Sequence, residues 1–125
     1  MTDSVERLYE GVIRERQGDP TKSRTARLLR SGRAKIAKKL AEEAVEVVID
    51  AMNGSREAVV KESADLIYNL VVLWVSSGVQ PREVWKEMER RERLFGIAEK
   101  LTKEPLEDSR RKVVALEPRR LRKRR

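Results

Sequence analysis

The 125-residue chain predicts an all-α fold, a helical bundle of about five helices. Three observations carry the helical prediction. Apolar residues recur at three- and four-residue spacing. No stretch alternates with a period of two over strand length. Gly and Pro fall almost entirely between the periodic segments, where they act as punctuation.

The first helix is expected over about residues 3–16, with Val5, Leu8, Tyr9, Val12 and Ile13 on one side and Gly18-Asp19-Pro20 as its stop. A short second helix, about 23–31, carries Ala26, Leu28 and Leu29 and stops at Gly32. The third runs over about 33–52 and ends at Asn53-Gly54, a favourable C-terminal stop. Ser55 is the N-cap candidate for a fourth helix reaching about residue 77 and stopping at Gly78. From Leu66 to Val75 this helix is apolar nearly all round, as a central bundle helix is. A fifth begins with Pro81 in its first turn and continues to about Leu94, with Val84, Trp85 and Met88 as its apolar contacts. Periodicity ends beyond Leu101. The expected organisation is one domain over 1–100 and a basic, mobile tail over 101–125.

Composition removes several chemistries. There is no Cys, hence no disulfide framework or thiolate zinc site, and no His, the usual acid–base group near neutral pH. Reaction chemistry must run on carboxylates, amines, guanidinium groups, hydroxyls or an oxygen-bound metal. The net charge of +8 does not belong to the body of the chain. Residues 110–125 hold nine Lys or Arg and one Glu, which leaves the remainder neutral. The N-terminus lacks a basic-then-apolar signal pattern, and V-V-L-W-V is too short to span a membrane. A soluble, cytoplasmic protein with no membrane partner is expected.

The informative feature is where acidic residues meet the apolar stripes. On the third helix Ile36, Leu40, Ala44, Val47 and Ala51 form one face at about 100° per residue. Glu43 falls on that face and Glu46 on its edge, while Glu42 lies further out. On the fourth helix Glu62 and Asp65 share a side, with Asn69 between them in projection. Four carboxylates bordering a core need either Lys or Arg partners or a divalent metal, and Mg2+ suits hard oxygen ligands. Lys35, Lys38 and Lys39 could be simple ion-pair partners of Glu42, Glu43 and Glu46. With Arg30 and Arg33 they could equally form the cationic wall that a polyphosphate needs. Spacing leaves both open.

The run S-R-T-A-R-L-L-R-S-G-R-A-K-I-A-K-K-L-A-E-E-A-V-E-V-V-I-D-A, followed by E-S-A-D-L-I-Y-N-L-V-V-L-W, resembles phosphoribosyl-ATP pyrophosphohydrolases, which belong to the MazG-like all-α nucleotide pyrophosphohydrolases. The resemblance covers about residues 5–95. It implies that an E-x-x-E … E-x-x-D metal motif maps onto Glu43, Glu46, Glu62 and Asp65, with fifteen residues between its halves and Glu42 as a further candidate ligand. It also implies Mg2+ as cofactor, a nucleoside triphosphate-type substrate and a homodimer or higher homo-oligomer built from helical hairpins. The implied reaction is hydrolysis of the α–β anhydride of phosphoribosyl-ATP to phosphoribosyl-AMP and pyrophosphate, the second step of histidine biosynthesis. Arg33, Lys35, Lys38, Lys39 and Asn69 would contact substrate. The base would be metal-bound hydroxide, preferred over a carboxylate such as Glu46.

The family often has S-Y-T where this chain has Ser23-Arg24-Thr25, Gly where it has Ala41, and His where it has Asn69. These departures keep a second reading open, a MazG-like enzyme acting on another nucleoside triphosphate. A third, from a different class, is a helical dimer binding nucleic acid through R-R-L-R-K-R-R. No aromatic residue interleaves that run, so nucleic acid is the less favoured partner. Trp74 and Trp85 read as packing residues. Tyr68 is placed on the far side of its helix from Glu62 and Asp65, as a core or dimer contact.

Overall fold

A computed structural model describes residues 3–96 and contains five helices: α1 (Ser4–Glu15), α2 (Arg24–Arg30), α3 (Arg33–Met52), α4 (Arg56–Ser77) and α5 (Pro81–Phe95). The described residues are all-α, with no strand among them. The expected boundary near residue 100 and the basic tail lie outside the described residues.

Local chemistry sets the helix ends. Asp3 Oδ1 accepts the Glu6 N–H at 2.7 Å, and Ser23 Oγ accepts the Ala26 N–H at 3.0 Å. Ser55 Oγ accepts the Ala58 N–H at 3.3 Å, so each of these caps satisfies a helix donor that has no partner within its own helix. At the end of α4, Gly78 is left-handed (φ 74°), which lets Val79 N–H reach back to Trp74 O at 2.8 Å. Gly32 (φ 97°) turns the chain from α2 into α3 with only Ser31 beside it, in a backbone region that a Cβ would strain. That tight turn keeps α2 close to the first turns of α3.

The helices α3 and α4, of 20 and 22 residues, form a hairpin across the short Asn53–Ser55 connection. α1 packs against α4, and α2 touches α1, α3 and α4. The core is Val12, Ile36, Val71, Val72 and Val75, with Leu8, Leu28, Trp74 and other half-buried residues around it. Each fully buried Val or Ile contributes about 1.5–3 kcal/mol over an exposed one. These residues draw on α1, the first half of α3 and the second half of α4. The opposite end of the hairpin leaves Val45, Val48, Ile49, Met52 and Val60 exposed.

The described residues fall into two compact units, up to Glu83 and from Val84 onward. In the second unit Glu87 accepts hydrogen bonds from Arg90 (2.8 and 3.0 Å) and Arg91 (2.9 Å), which pull its carboxyl down to about 2. Met88, expected to be an apolar contact, is exposed, whereas Val84 and Trp85 are half-buried. Among the described residues no helix is long and apolar enough to cross a membrane.

Candidate active site

Within the α3–α4 hairpin, oxygens of Glu43, Glu62 and Asp65 lie within 4.8 Å of one another. Glu62 and Asp65 are one turn apart on α4, and Glu43 meets them from α3 because the two helices are packed antiparallel. Glu43 and Glu62 are half-buried, Asp65 exposed. The Glu62 carboxyl is pushed up to about 7, first by partial burial, then by the charge of Glu46. A hydrogen bond with Glu43 and the charges of Glu43 and Asp65 push it further in the same direction. Such mutual repulsion is what a group of carboxylates shows when no cation separates them.

Beside the carboxylates opens a cavity of about 360 Å³, lined in part by Glu43, Asp65 and Asn69. Its opposite character comes from Arg24 and Arg27 on α2 and Lys35 and Lys39 on α3. Four cations thus face an acidic cluster, and Lys39 Nζ lies 3.6 Å from Glu43 Oε1 where the two meet. Arg27 is also tied to the loop before it, its Nη1 donating to Pro20 O at 2.8 Å.

The structure therefore brings Glu43, Glu62 and Asp65 together and puts Lys35, Lys39 and Asn69 at the cavity. Glu46 is exposed and near enough for its charge to act on Glu62, but it is not within the three-oxygen group. Glu42 is exposed and outside the group as well. Lys38 and Arg33 do not line the cavity. Lys38 is one helical step, about 100°, round from Lys39. Arg33 reaches the other way, its Nη2 donating to Ser76 O at 3.5 Å near the end of α4.

The expectation for Tyr68 is corrected. It packs on the core, but it also lines the cavity, and its hydroxyl lies 2.6 Å from Thr25 Oγ1. Three residues advance a helix about 300°, so Tyr68 sits only about 60° from Asp65 and not opposite it. Arg27 and Ser31 were not anticipated at the site, and Arg24 only as a departure. The signal available for the two arginines was their spacing of three on one short helix.

The all-helical fold is of the MazG-like class. Within it the family is specific: the phosphoribosyl-ATP pyrophosphohydrolase profile matches residues 5–92, and the chain belongs to that family. Curated relatives named phosphoribosyl-ATP pyrophosphatase 2, from Rhodopseudomonas palustris and Bradyrhizobium diazoefficiens, are 58% and 59% identical to it. The first alignment covers 100% of both chains and the second 99% of both. A phosphoribosyl-ATP pyrophosphatase from Gluconobacter oxydans is 52% identical over 77% of this chain and 72% of its own.

Proposed function

We propose that this chain hydrolyses the α–β phosphoanhydride of phosphoribosyl-ATP, yielding phosphoribosyl-AMP and pyrophosphate, in the cytoplasm, as the second step of histidine biosynthesis. The observation that carries this reading is the three-carboxylate group of Glu43, Glu62 and Asp65, two of which line a cavity together with Arg24, Arg27, Lys35 and Lys39.

The donor set fits Mg2+. It is all oxygen, lacks His and Cys, and its repulsion at Glu62 is the kind that a divalent cation relieves. Glu43, Glu62 and Asp65 would hold the ion, with Glu46 beside them. Bound there, magnesium supplies charge neutralisation and polarisation at a phosphoryl oxygen.

The cations of α2 and α3 hold the remaining phosphate charge and orient the anhydride towards the carboxylates. Hydrolysis adds water across that bond: its oxygen joins one phosphorus, the bridging P–O bond breaks, and pyrophosphate leaves. The proton needs an acceptor. Among this chain's own groups the candidate is Glu46, the exposed carboxylate outside the three-oxygen group and the second choice of base from the sequence.

Arg24 at the cavity wall supports the second reading, another nucleoside triphosphate, because it puts a cation where the family often has an aromatic ring. The exposed apolar residues of the hairpin support a homodimer.

Pyrophosphate release from phosphoribosyl-ATP and from a panel of other triphosphates, with and without Mg2+, tests the assignment. Metal-dependent release from phosphoribosyl-ATP, lost in Glu43→Gln and Glu62→Gln, is the expected result. Release only from a different triphosphate transfers the assignment to that substrate, and no release from any of them overturns it.

A further inference from the structure

Asn69 is the buried polar residue among the described ones, at 2% exposure. Its Nδ2 donates to the backbone carbonyl of Asp65 at 2.8 Å, while its Oδ1 is buried without a hydrogen-bond partner and is reached by a ligand only when a neighbouring side chain moves aside. The orientation of the amide follows from chemistry. A carbonyl can only accept, so the nitrogen must face Asp65; the flipped amide would set two acceptors against each other. An unpaired buried acceptor costs the empty protein free energy and therefore calls for a partner.

Asn69 lines the cavity, one helical turn beyond Asp65 and next to Tyr68. Phosphate oxygens are acceptors too. They are drawn to Arg24, Arg27, Lys35 and Lys39 and repelled by another lone pair, so a phosphate cannot satisfy Oδ1. The partner either carries N–H or O–H or is a cation, and the apolar lining favours the first. Leu28 and Tyr68 beside it offer the apolar surface that a base or sugar needs.

We propose that Asn69 Oδ1 reads the non-phosphate part of the bound nucleotide by accepting one N–H or O–H of its base or sugar. The inference rests on the nucleotide reading above and deepens it. A site that pairs a buried acceptor with a ligand donor discriminates strongly against ligands lacking that donor, because the acceptor is then left unpaired in the complex.

The probe is α,β-methylene-ATP with Mg2+, measured by calorimetry on native protein, Asn69→Leu and Asn69→Ala. Its 2′-deoxy, 3′-deoxy and 6-deamino forms separate sugar from base. The expected result is an Asn69→Leu protein that melts at or above the native temperature, since the orphan acceptor is gone at similar volume. Both variants bind the parent probe about tenfold more weakly or worse. One analogue that the native protein disfavours is no longer disfavoured by the variants. Lost base discrimination assigns a base N–H, and lost sugar discrimination a hydroxyl.

Unchanged probe affinity overturns the proposal, as does a joint fall of melting temperature and affinity in both variants. Retained discrimination against every analogue also overturns it. So does a matching fall in affinity for Mg2+ alone, which would give the oxygen to the cation. Native protein that binds no nucleotide removes the nucleotide reading itself, whereas native binding with an indifferent variant removes only the role of Asn69.

Discussion

Thr25 Oγ1 and Tyr68 Oη lie 2.6 Å apart, a half-buried hydrogen bond between residues 43 positions apart that ties the first turn of α2 to α4. Its consequence is positional. α2 carries Arg24 and Arg27 and α4 carries Asp65 and Asn69, so this bond helps to set the distance between the cationic and acidic sides of the cavity.

Tyr68→Phe and Thr25→Val are each expected to cost about 0.5–1.5 kcal/mol, the net worth of one such bond. The double variant should cost much less than the sum, because either change alone breaks the same bond. Urea denaturation of the four proteins measures this. Full additivity would show that the two hydroxyls act independently. Since α2 is loosened, KM should rise more than kcat falls.

Glu62 makes metal-free stability depend on pH. Its carboxyl titrates at about 7 in the folded chain against an ordinary 4.5, so between those values the folded state holds more protons than the unfolded. Stability must then fall as pH rises through that window. Melting curves of native protein and Glu62→Gln, both stripped of divalent cations, should diverge: the variant lacks this part of the decline. Added Mg2+ should raise the native melting temperature more at pH 8 than at pH 5.5, because the ion takes the place of the proton. Parallel pH curves for the two proteins would remove Glu62 from this account.

The helices were legible because their limits are local. Ser23, Ser55 and Gly78 each act within one turn of chain, and the apolar spacing of α4 needs no partner to be seen. The placing of Glu43, Glu62 and Asp65 on facing helix sides was legible for the same reason, whereas Glu46 falls outside their group. What periodicity could not supply was the crossing of α2 over the hairpin, which selects Lys35 and Lys39 and brings in Arg24 and Arg27. Lys38 and Lys39 are equivalent in composition and differ only by a rotation of about 100°. Arg33 was drawn away by the carbonyl of Ser76 at the far end of α4, a tertiary contact that no window of sequence contains.

That rotation predicts unequal lysines. Lys39 lines the cavity 3.6 Å from Glu43, and a charge-assisted contact from it to a phosphate would be worth roughly 1.5–3 kcal/mol, or about 10- to 150-fold in kcat/KM. Lys39→Met should lose activity on that scale. Lys38→Met, exposed and off the cavity, should stay within about twofold of native. Steady-state kinetics on pyrophosphate release separates them. Equal losses would mean that bulk positive charge, not position, draws the substrate.

The last prediction concerns the surface of α3. Val45, Val48, Ile49 and Met52, spaced by three, one and three, form a continuous apolar stripe, and every one is more than half exposed. α4 adds Val60 and Ile67 to the exposed apolar surface of the same hairpin. A stable protein interface buries about 800 Å² per partner, more than four such side chains provide, so α4 must contribute to any contact with a second copy. A symmetric pair would set each stripe against its equivalent, which makes it sensitive to charge in duplicate. Val48→Glu with Met52→Glu places four carboxylates in one dimer interface but leaves a lone chain merely more soluble. Sedimentation velocity should show native protein as a dimer or larger and the double variant as a monomer that is still helical. A native monomer, or a double variant that sediments as native protein does, would sink the assembly.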